Sequence, residues 1–479
     1  MIINMKIVQL LGLLLLGFGL HAQNIPFAFT YGGNGNDAGY DVVESADLGY
    51  VVCGQTGSFT YGASDMYMFK TDINGNLLWR KHFGGTASEG AKSIIKAHGG
   101  GFLLAGYTNS YGNGGYDYYL VRTDDNGDTL WTRTFGGTDW DFAHSVCTTS
   151  NGNYVVIGES YSFGNGKEIF LVYFDDSGNA TDSLIWGGIG DQTVGNVLEY
   201  SNGKVVFTGS AFSSDWDQYL VGYDWIAQSY VFQNIVAAPG HQSAYVVQPG
   251  PSGGFATFGS HELSNGVEMM TGVFQNDGSH IGNTILFIPG EDLVLYTSKI
   301  YGNEFVTGGY RRQVGTNTYL PTFYHLDQYG NFLSGGALGS QAFNATYGIT
   351  AVTGGGVVMT GYMEGYGPGP SSALLWKLDS NLAGSGNPSP VVSVSDAQPQ
   401  AVSSIQVFPN PFVETLSVKV PADLTVNEAT LINHNGQKFA LTPLTNGTFQ
   451  TPALSDGVYI LQLTLDNGTL YREKLVKMP

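Results

Sequence analysis

The chain has 479 residues, with 39 acidic against 19 basic side chains and a net charge of −20. Glycine fills 69 positions and aromatics make up 13%, while charged residues reach 12%, half the usual ~25%. Such a chain is too aromatic to be disordered and too poor in helix formers for a bundle. Its surface would repel phosphate, which excludes a nucleic-acid binder.

Residues 1–22 read as a secretory signal, with Lys6 as its charge, an apolar stretch over 7–20, and Ala22 offering a small residue before Gln23. No Cys follows the apolar stretch, which argues against a lipoprotein. No later segment approaches ~18 consecutive apolar residues, so no transmembrane segment is expected in the mature chain. Cys53 and Cys147 lie in apolar strand patterns and read as small core residues.

Beyond the signal, the chain is organised by a repeat. Gly-Tyr-Val-Val-Cys-Gly ends at Gly54, Gly-Phe-Leu-Leu-Ala-Gly at Gly106 and Asn-Tyr-Val-Val-Ile-Gly at Gly158. Weaker copies end at Gly209, Gly259, Gly308 and Gly361, giving intervals of 52, 52, 51, 50, 49 and 53 residues. Units of this length fall in the range of propeller blades. The second unit shows four strand-like runs, 92–95, 102–105, 118–123 and 129–134, with an Asn-Gly turn at 126–127 between the last two. The expected fold is all-β: a seven-bladed β-propeller of four-stranded blades over residues 23–382.

The ends of the repeat are complementary. The seventh unit stops after a third strand, 373–379, while Phe27-Ala28-Phe29-Thr30-Tyr31-Gly32-Gly33 matches the fourth strands ending at Gly85 and Gly137. Residues 26–33 are therefore expected to complete the last blade, since an open ring would leave two unpaired edges. Residues 70–79 and 122–131, Lys-Thr-Asp-Ile-Asn-Gly-Asn-Leu-Leu-Trp and Arg-Thr-Asp-Asp-Asn-Gly-Asp-Thr-Leu-Trp, resemble blade repeats of pyrroloquinoline-quinone-type propellers. That resemblance implies the architecture and not the chemistry. Trp79, Trp131 and Trp186 hold one position in three units and read as blade-to-blade packing.

Residues 383–404 form a Gly/Ser/Pro-rich linker, after which the repeat vanishes. Residues 405–479 carry six acids and five bases, so the negative charge lies on the repeats. Alternating short strands with Asn-Gly and Asp-Gly turns predict a small Ig-like β-sandwich. The residues Val407-Phe408-Pro409-Asn410-Pro411-Phe412, Asn435-Gly436-Gln437, Gly457-Val458-Tyr459-Ile460-Leu461 and Lys474-Leu475-Val476-Lys477 resemble the type A C-terminal sorting domain of the type IX secretion system of Bacteroidetes. The matching motif residues are Pro409, Asn410, Pro411, Gly436, Gly457, Tyr459, Lys474 and Lys477. The resemblance implies handling by type IX machinery, passage through the periplasm, and a secreted or outer-membrane-surface destination.

Four constellations could carry chemistry. Seventeen residues before each marker glycine stand Asp37, Glu89, Asp141, Gln192, Gln242, Glu291 and Asn344, all acids or amides, just ahead of the strand that lines a propeller's channel. They could form a polar ring at the channel mouth holding a cation such as calcium, or they could bond the loops between blades. Asp65, Asp117, Glu168 and Asp217 open third strands and read as caps of backbone N–H groups. The turn Asp124-Asp125-Asn126-Gly127-Asp128 has a calcium-loop flavour but lacks the closing Glu. It also resembles the Asp-box of sialidase propellers, without the arginine cluster those enzymes need. No nucleophile elbow, His-Glu-x-x-His motif or Cys pair is present, and His144 stands alone in the third unit.

Loops 57–61, 109–113 and 160–165 repeat Ser, Tyr or Phe, Gly and Asn, a mix suited to sugars or protein partners and also to building turns. The expected function is a non-enzymatic binding or adhesion module for a glycan or protein ligand, with no catalytic residue and no cofactor beyond the calcium question. The alternative is a polysaccharide-active lyase or hydrolase with paired carboxylates at the channel.

Overall fold

The computed structural model describes residues 25–384 except 165, 189, 251–252, 265 and 340–342, then 388–390, and 406–477 with short breaks at 409–411, 421–424, 434–436, 445–446, 456 and 467–469. The signal segment 1–22 and loop residue Asn165 lie outside the described residues. Two compact units divide the chain between Val391 and Val392.

Among the described residues the first unit is a succession of seven sheets. The second is representative: Glu89–Lys96, Phe102–Thr108, Asp117–Thr123 and Thr129–Phe135 pair antiparallel in chain order. Its first strand begins three residues earlier than the sequence suggested, because Glu89 already pairs with Thr108. The turn before the fourth strand is set by an aspartate: Asp124 Oδ1 accepts the N–H groups of Asn126 and Asp128, and Gly127 takes φ +76°. Asp72, Asp175 and Asp327 do the same in their own turns, so the calcium-like turn is an Asx turn.

Burial follows position in the sheet. Every residue of Asp117–Thr123 is buried, whereas none of Thr129–Phe135 is fully so. The inner strands are covered on both faces by neighbouring sheets, which is why they read as near-continuous apolar runs. Val51, Cys53 and Met68 of the first sheet share one core with Ala91, Ile94 and Leu104 of the second. Truncating such a residue to Ala costs about 2–5 kcal/mol.

The seventh sheet takes its fourth strand from the chain's beginning. Phe27–Tyr31 pairs antiparallel with Ser371–Leu378, in register from Phe27↔Lys377 to Tyr31↔Ala373. Ser389–Pro390 adds a short parallel strand on its far side. Phe27 and Tyr31 share a core with Tyr50, Val52 and Tyr67 of the first sheet, so the seventh and first sheets are packed neighbours. The first strand of each sheet lies against that of the next, and Asn344–Ala351 lies against Asp37–Glu44.

The fourth-strand aromatics act between sheets. Trp131 donates from Nε1 to the Asp176 carbonyl at 3.1 Å, and Trp186 packs on Tyr219 with ring centroids 4.4 Å apart and planes tilted by 46°. These contacts bear the blade-to-blade packing read from the sequence.

The second unit has two four-stranded sheets. One orders Gln406–Phe408, Thr415–Lys419, Thr448–Gln450 and Thr442–Pro443; the other orders Lys438–Ala440, Val426–Asn433, Gly457–Leu465 and Leu470–Lys477. Leu416 and Phe449 from one sheet join Leu431, Leu461 and Leu475 from the other in a single core.

Candidate functional site

The first strands converge on one cavity of about 720 Å³, to which all seven contribute lining residues. What enters it is decided by a β-bulge repeated in every first strand. A bulge leaves one residue unpaired and re-aims its side chain. The bulge positions are Tyr40, Lys92, His144, Gly195, Tyr245, Tyr296 and Tyr347. All seven line the cavity.

The same bulge explains the marker glycines. Opposite it, the carbonyl before the bulge crowds the second strand: a Cβ on Gly54 would run into the Ala38 oxygen, and one on Gly106 into that of Gly90. In the sixth sheet the crowded position is Gly309, facing the Val294 oxygen, and not Gly308. Intervals measured to Gly309 are 50 and 52 residues, closer to the rest.

The bulge residues break the sevenfold repetition. Tyr40, Tyr347, Tyr296 and Tyr245 form a continuous aromatic arc, with neighbouring ring centroids at 5.4, 5.1 and 5.2 Å. Burial raises the hydroxyl pKa of Tyr40, Tyr296 and Tyr347, which keeps them neutral hydrogen-bond donors. The remaining arc is Lys92, His144 and Gly195. The Lys92 ammonium lies 3.9 Å from the Tyr40 ring centroid, joining the two arcs. Burial lowers its pKa to about 8. Burial also lowers the His144 pKa, opposed by Glu159, whose carboxylate is 4.0 Å away and is shared with Lys167 at 3.3 Å.

In the first four sheets a polar residue after the bulge position ties one strand to the next. Asp41 accepts from Val42 N at 2.8 Å, Ile94 N at 3.0 Å and Ser93 Oγ at 3.2 Å. Ser93 Oγ accepts from Val146 N, Ser145 Oγ from Val197 N, and Asn196 Oδ1 from Val247 N. Burial raises the Asp41 pKa to about 6 against those N–H donors and Lys299. At Gly348 the series ends in close approach, since a Cβ there would lie 2.6 Å from the Asp41 Cα.

The acids and amides picked from the sequence sit elsewhere. Asp37, Glu89, Asp141, Gln192, Gln242 and Asn344 are buried strand residues and are not among those lining the cavity. Asp37 accepts from Gly33 N and Ser58 Oγ, Glu89 from Gly85 N and Thr108 Oγ1, and Asp141 from Gly137 N and Ser162 Oγ. Gln192 and Gln242 donate to the Gly190 and Ala238 carbonyls, and Asn344 accepts from Glu364 N. Five of the six thus hold loop backbone, and Asn344 holds the last residue of the strand Val357–Glu364. In the sixth sheet the equivalent register position, two residues before the crowded pair, is Leu293 facing Arg311; Glu291 starts the strand opposite Gln313, with Arg311 at 3.9 Å. Its neighbour Asp292 is the buried carboxylate there, paired with Arg312.

The third-strand acids are also engaged. Asp65 accepts from Thr60 Oγ1 and Tyr61 N and meets His82 Nδ1 at 2.8 Å, and Asp117 accepts from Asn113 N. Among the described residues no group of three or more His, Cys, Asp or Glu is arranged to hold a metal. The Ser/Tyr loops build turns, with Thr56 Oγ1 accepting from Ser58 N and Phe59 N. They nevertheless leave Tyr61, Tyr111 and Tyr161 exposed.

In the second unit, Pro409, Asn410, Pro411 and Gly436 lie outside the described residues, as does the Lys474 side chain. Gly457 pairs with Lys477 across the sheet, and Tyr459 is buried with its hydroxyl on the Ser455 carbonyl at 2.9 Å.

The bulge collar was missed from sequence, although its signal is there. Counting back 14 residues from Gly54, Gly106, Gly158, Gly209, Gly259 and Gly361 gives Tyr40, Lys92, His144, Gly195, Tyr245 and Tyr347.

The fold, built from repeated four-stranded antiparallel blades, is that of a β-propeller. Residues 406–478 match the family model of the secretion system C-terminal sorting domain. The chain is thus a propeller protein carrying a sorting tail, which supports export to the cell surface or beyond it by type IX machinery. A regulatory protein of Caulobacter vibrioides, FlaEY, is 27% identical over 194 residues, covering 34% of this chain and 20% of its own length. This chain thus spans about a fifth of that relative. Among solved structures, the periplasmic gluconolactonase of Pseudomonas aeruginosa has a TM-score of 0.47 at 11% identity, covering 69% of this chain and 99% of that one. A puromycin hydrolase has a TM-score of 0.48 at 9% identity, covering 89% and 58%. Among the described residues no helix is long and apolar enough to cross a membrane.

Proposed function

We propose that residues 23–382 form a closed seven-bladed propeller that works after export as a non-enzymatic glycan-binding module. The 1–22 signal would take the chain to the periplasm. The linker 383–404 would then join the propeller to an Ig-like sorting sandwich over 405–479.

The aromatic arc carries this reading. Sugar rings present C–H faces that pack on aromatic rings while their hydroxyls need donors and acceptors nearby. Four tyrosines in one open cavity of about 720 Å³ supply both over the length of several sugar units. Binding without turnover is favoured by the carboxylates. Asp41 is the single acid among the described lining residues, whereas glycoside hydrolysis uses two.

The test is titration of the full chain with soluble oligosaccharides, followed by intrinsic tyrosine fluorescence and by chromatography for released products. Saturable binding without products, lost in Tyr296→Ala, is the expected outcome. Product release would overturn the non-enzymatic reading, and a Tyr296→Ala variant that binds as the parent does would move the site elsewhere.

A further inference from the structure

The two unequal arcs of the collar say more than that a sugar fits. Across the whole chain acids outnumber bases by 39 to 19. The cavity reverses the balance: its described lining holds Lys92, Lys96 and Lys299 against Asp41 alone. That one carboxylate is already satisfied by two N–H groups and a hydroxyl. Among the described residues no carboxylate lies within salt-bridge distance of Lys92; its ammonium instead faces the rings of Tyr40 and Tyr107, at 3.9 and 5.9 Å.

An ammonium held among aromatic rings in a cavity, with no carboxylate beside it, is short of a counter-charge. A repeat protein could have placed a fifth tyrosine there, as four other blades do. We infer that the glycan bound in the collar is anionic, a chain of carboxylated sugars such as uronic acids. The sugar rings would stack on the tyrosine arc and a carboxylate would meet Lys92 at its end. This inference rests on the glycan-binding reading and narrows it to one chemical class. Lys92 is the specificity residue, and Tyr296 and Tyr347 are the stacking residues common to charged and neutral chains.

The experiment is calorimetric titration of the full chain with oligouronates and with the same oligomers after reduction of their carboxyl groups to alcohols. Acetate is added as a separate competitor. Oligouronates are expected to bind at least tenfold tighter than their reduced forms. Lys92→Met should erase that ratio while keeping the weaker binding of the reduced chains. Lys92→Arg should restore part of it, and Tyr347→Ala should weaken both ligands. Circular dichroism melting of each variant separates loss of binding from loss of fold.

Equal binding of charged and reduced chains would overturn the anionic assignment and leave the glycan reading standing. Binding of neither would overturn both. Acetate competing as well as the oligouronate would overturn the assignment too, by showing that a bare carboxylate suffices.

Discussion

The indole of Trp131 lies over Gly178, near enough that a Cβ added there would sit 3.0 Å from its ring. Gly178 belongs to the Asx turn of the following sheet and holds φ +79°. Trp79 bears in the same way on Gly127, and Phe29, from the first strand of the chain, on Gly75. One glycine thus answers two demands, a left-handed backbone and a flat seat for the neighbour's aromatic ring. Gly178→Ala is expected to cost about 2–4 kcal/mol, from the positive φ and the lost seat together. A lowered urea midpoint would show this; an unchanged midpoint would mean that the indole moves aside freely.

Lys92 should leave a pH signature on stability. Its folded pKa is about 8, below the ~10.4 of an exposed lysine. Carrying the charge inside therefore destabilises the folded state below pH 8, by about 3 kcal/mol. The penalty fades as pH rises from about 8 towards 10.4, where the folded form has shed its proton. Lys92→Met should accordingly be more stable than the parent at pH 7, with the advantage shrinking above pH 8. Denaturant titrations of both proteins at pH 7 and pH 10 measure it.

Asp41 works in the opposite range. Its folded pKa of about 6 exceeds the ~3.9 of an unfolded aspartate. A raised acid contributes stability that is full below about 3.9 and is lost as pH climbs through 6, here about 2–3 kcal/mol. The parent should gain stability relative to Asp41→Asn on going from pH 7.5 to 4.5. Urea midpoints for the pair at those two pH values decide it, and a constant difference would show that the buried carboxylate is better compensated by Val42, Ile94 and Ser93 than its pKa implies.

Removal of residues 1–33 takes away the strand facing Ala373–Lys377. The deletion should open the edge of Ser371–Leu378 and loosen the core around Trp376, which is 2% exposed in the intact sheet. Limited proteolysis is expected to cut first within 343–384, and a protease pattern unchanged from the parent would refute the dependence.

Deletion from residue 405 onward removes the sorting domain. The shortened protein should be retained by the cell while its propeller stays folded, since the two units have separate cores. Cell fractionation with an antibody to the propeller reads the outcome.

Much of the fold was legible because the repeat is enforced by sterics. The glycine ending each phrase is needed where a bulge pushes a carbonyl against it, so it recurs at nearly fixed intervals. The match of residues 27–33 to later fourth strands foretold the pairing with Ser371–Leu378. The site was less legible. The acid and amide ring stood out by type, yet five of its members bond loop backbone and Asn344 bonds the end of a neighbouring strand. The seventh, Glu291, misses the register because the sixth hairpin is one residue shorter, with Gly309 in the glycine's place. The tyrosine arc went unread because a bulge has no composition of its own; it shows only when two strands are set side by side.

The pairing of Phe27 with Lys377 joins residues 350 positions apart, taken as 377 minus 27. A chain emerging in order holds its opening strand without a partner until nearly the whole propeller has been delivered. The break between the last sheet's own three strands and its borrowed fourth falls where each of the other described sheets of the first unit has its turn between third and fourth strands. A circular permutant that begins in the turn between Thr123 and Thr129, with the old ends joined by a short Gly/Ser bridge, should form the same sheets with Thr129–Phe135 left as the strand that waits. Its refolding rate against that of the parent would tell whether the order of delivery, or the last strand home, limits how fast the split sheet is completed.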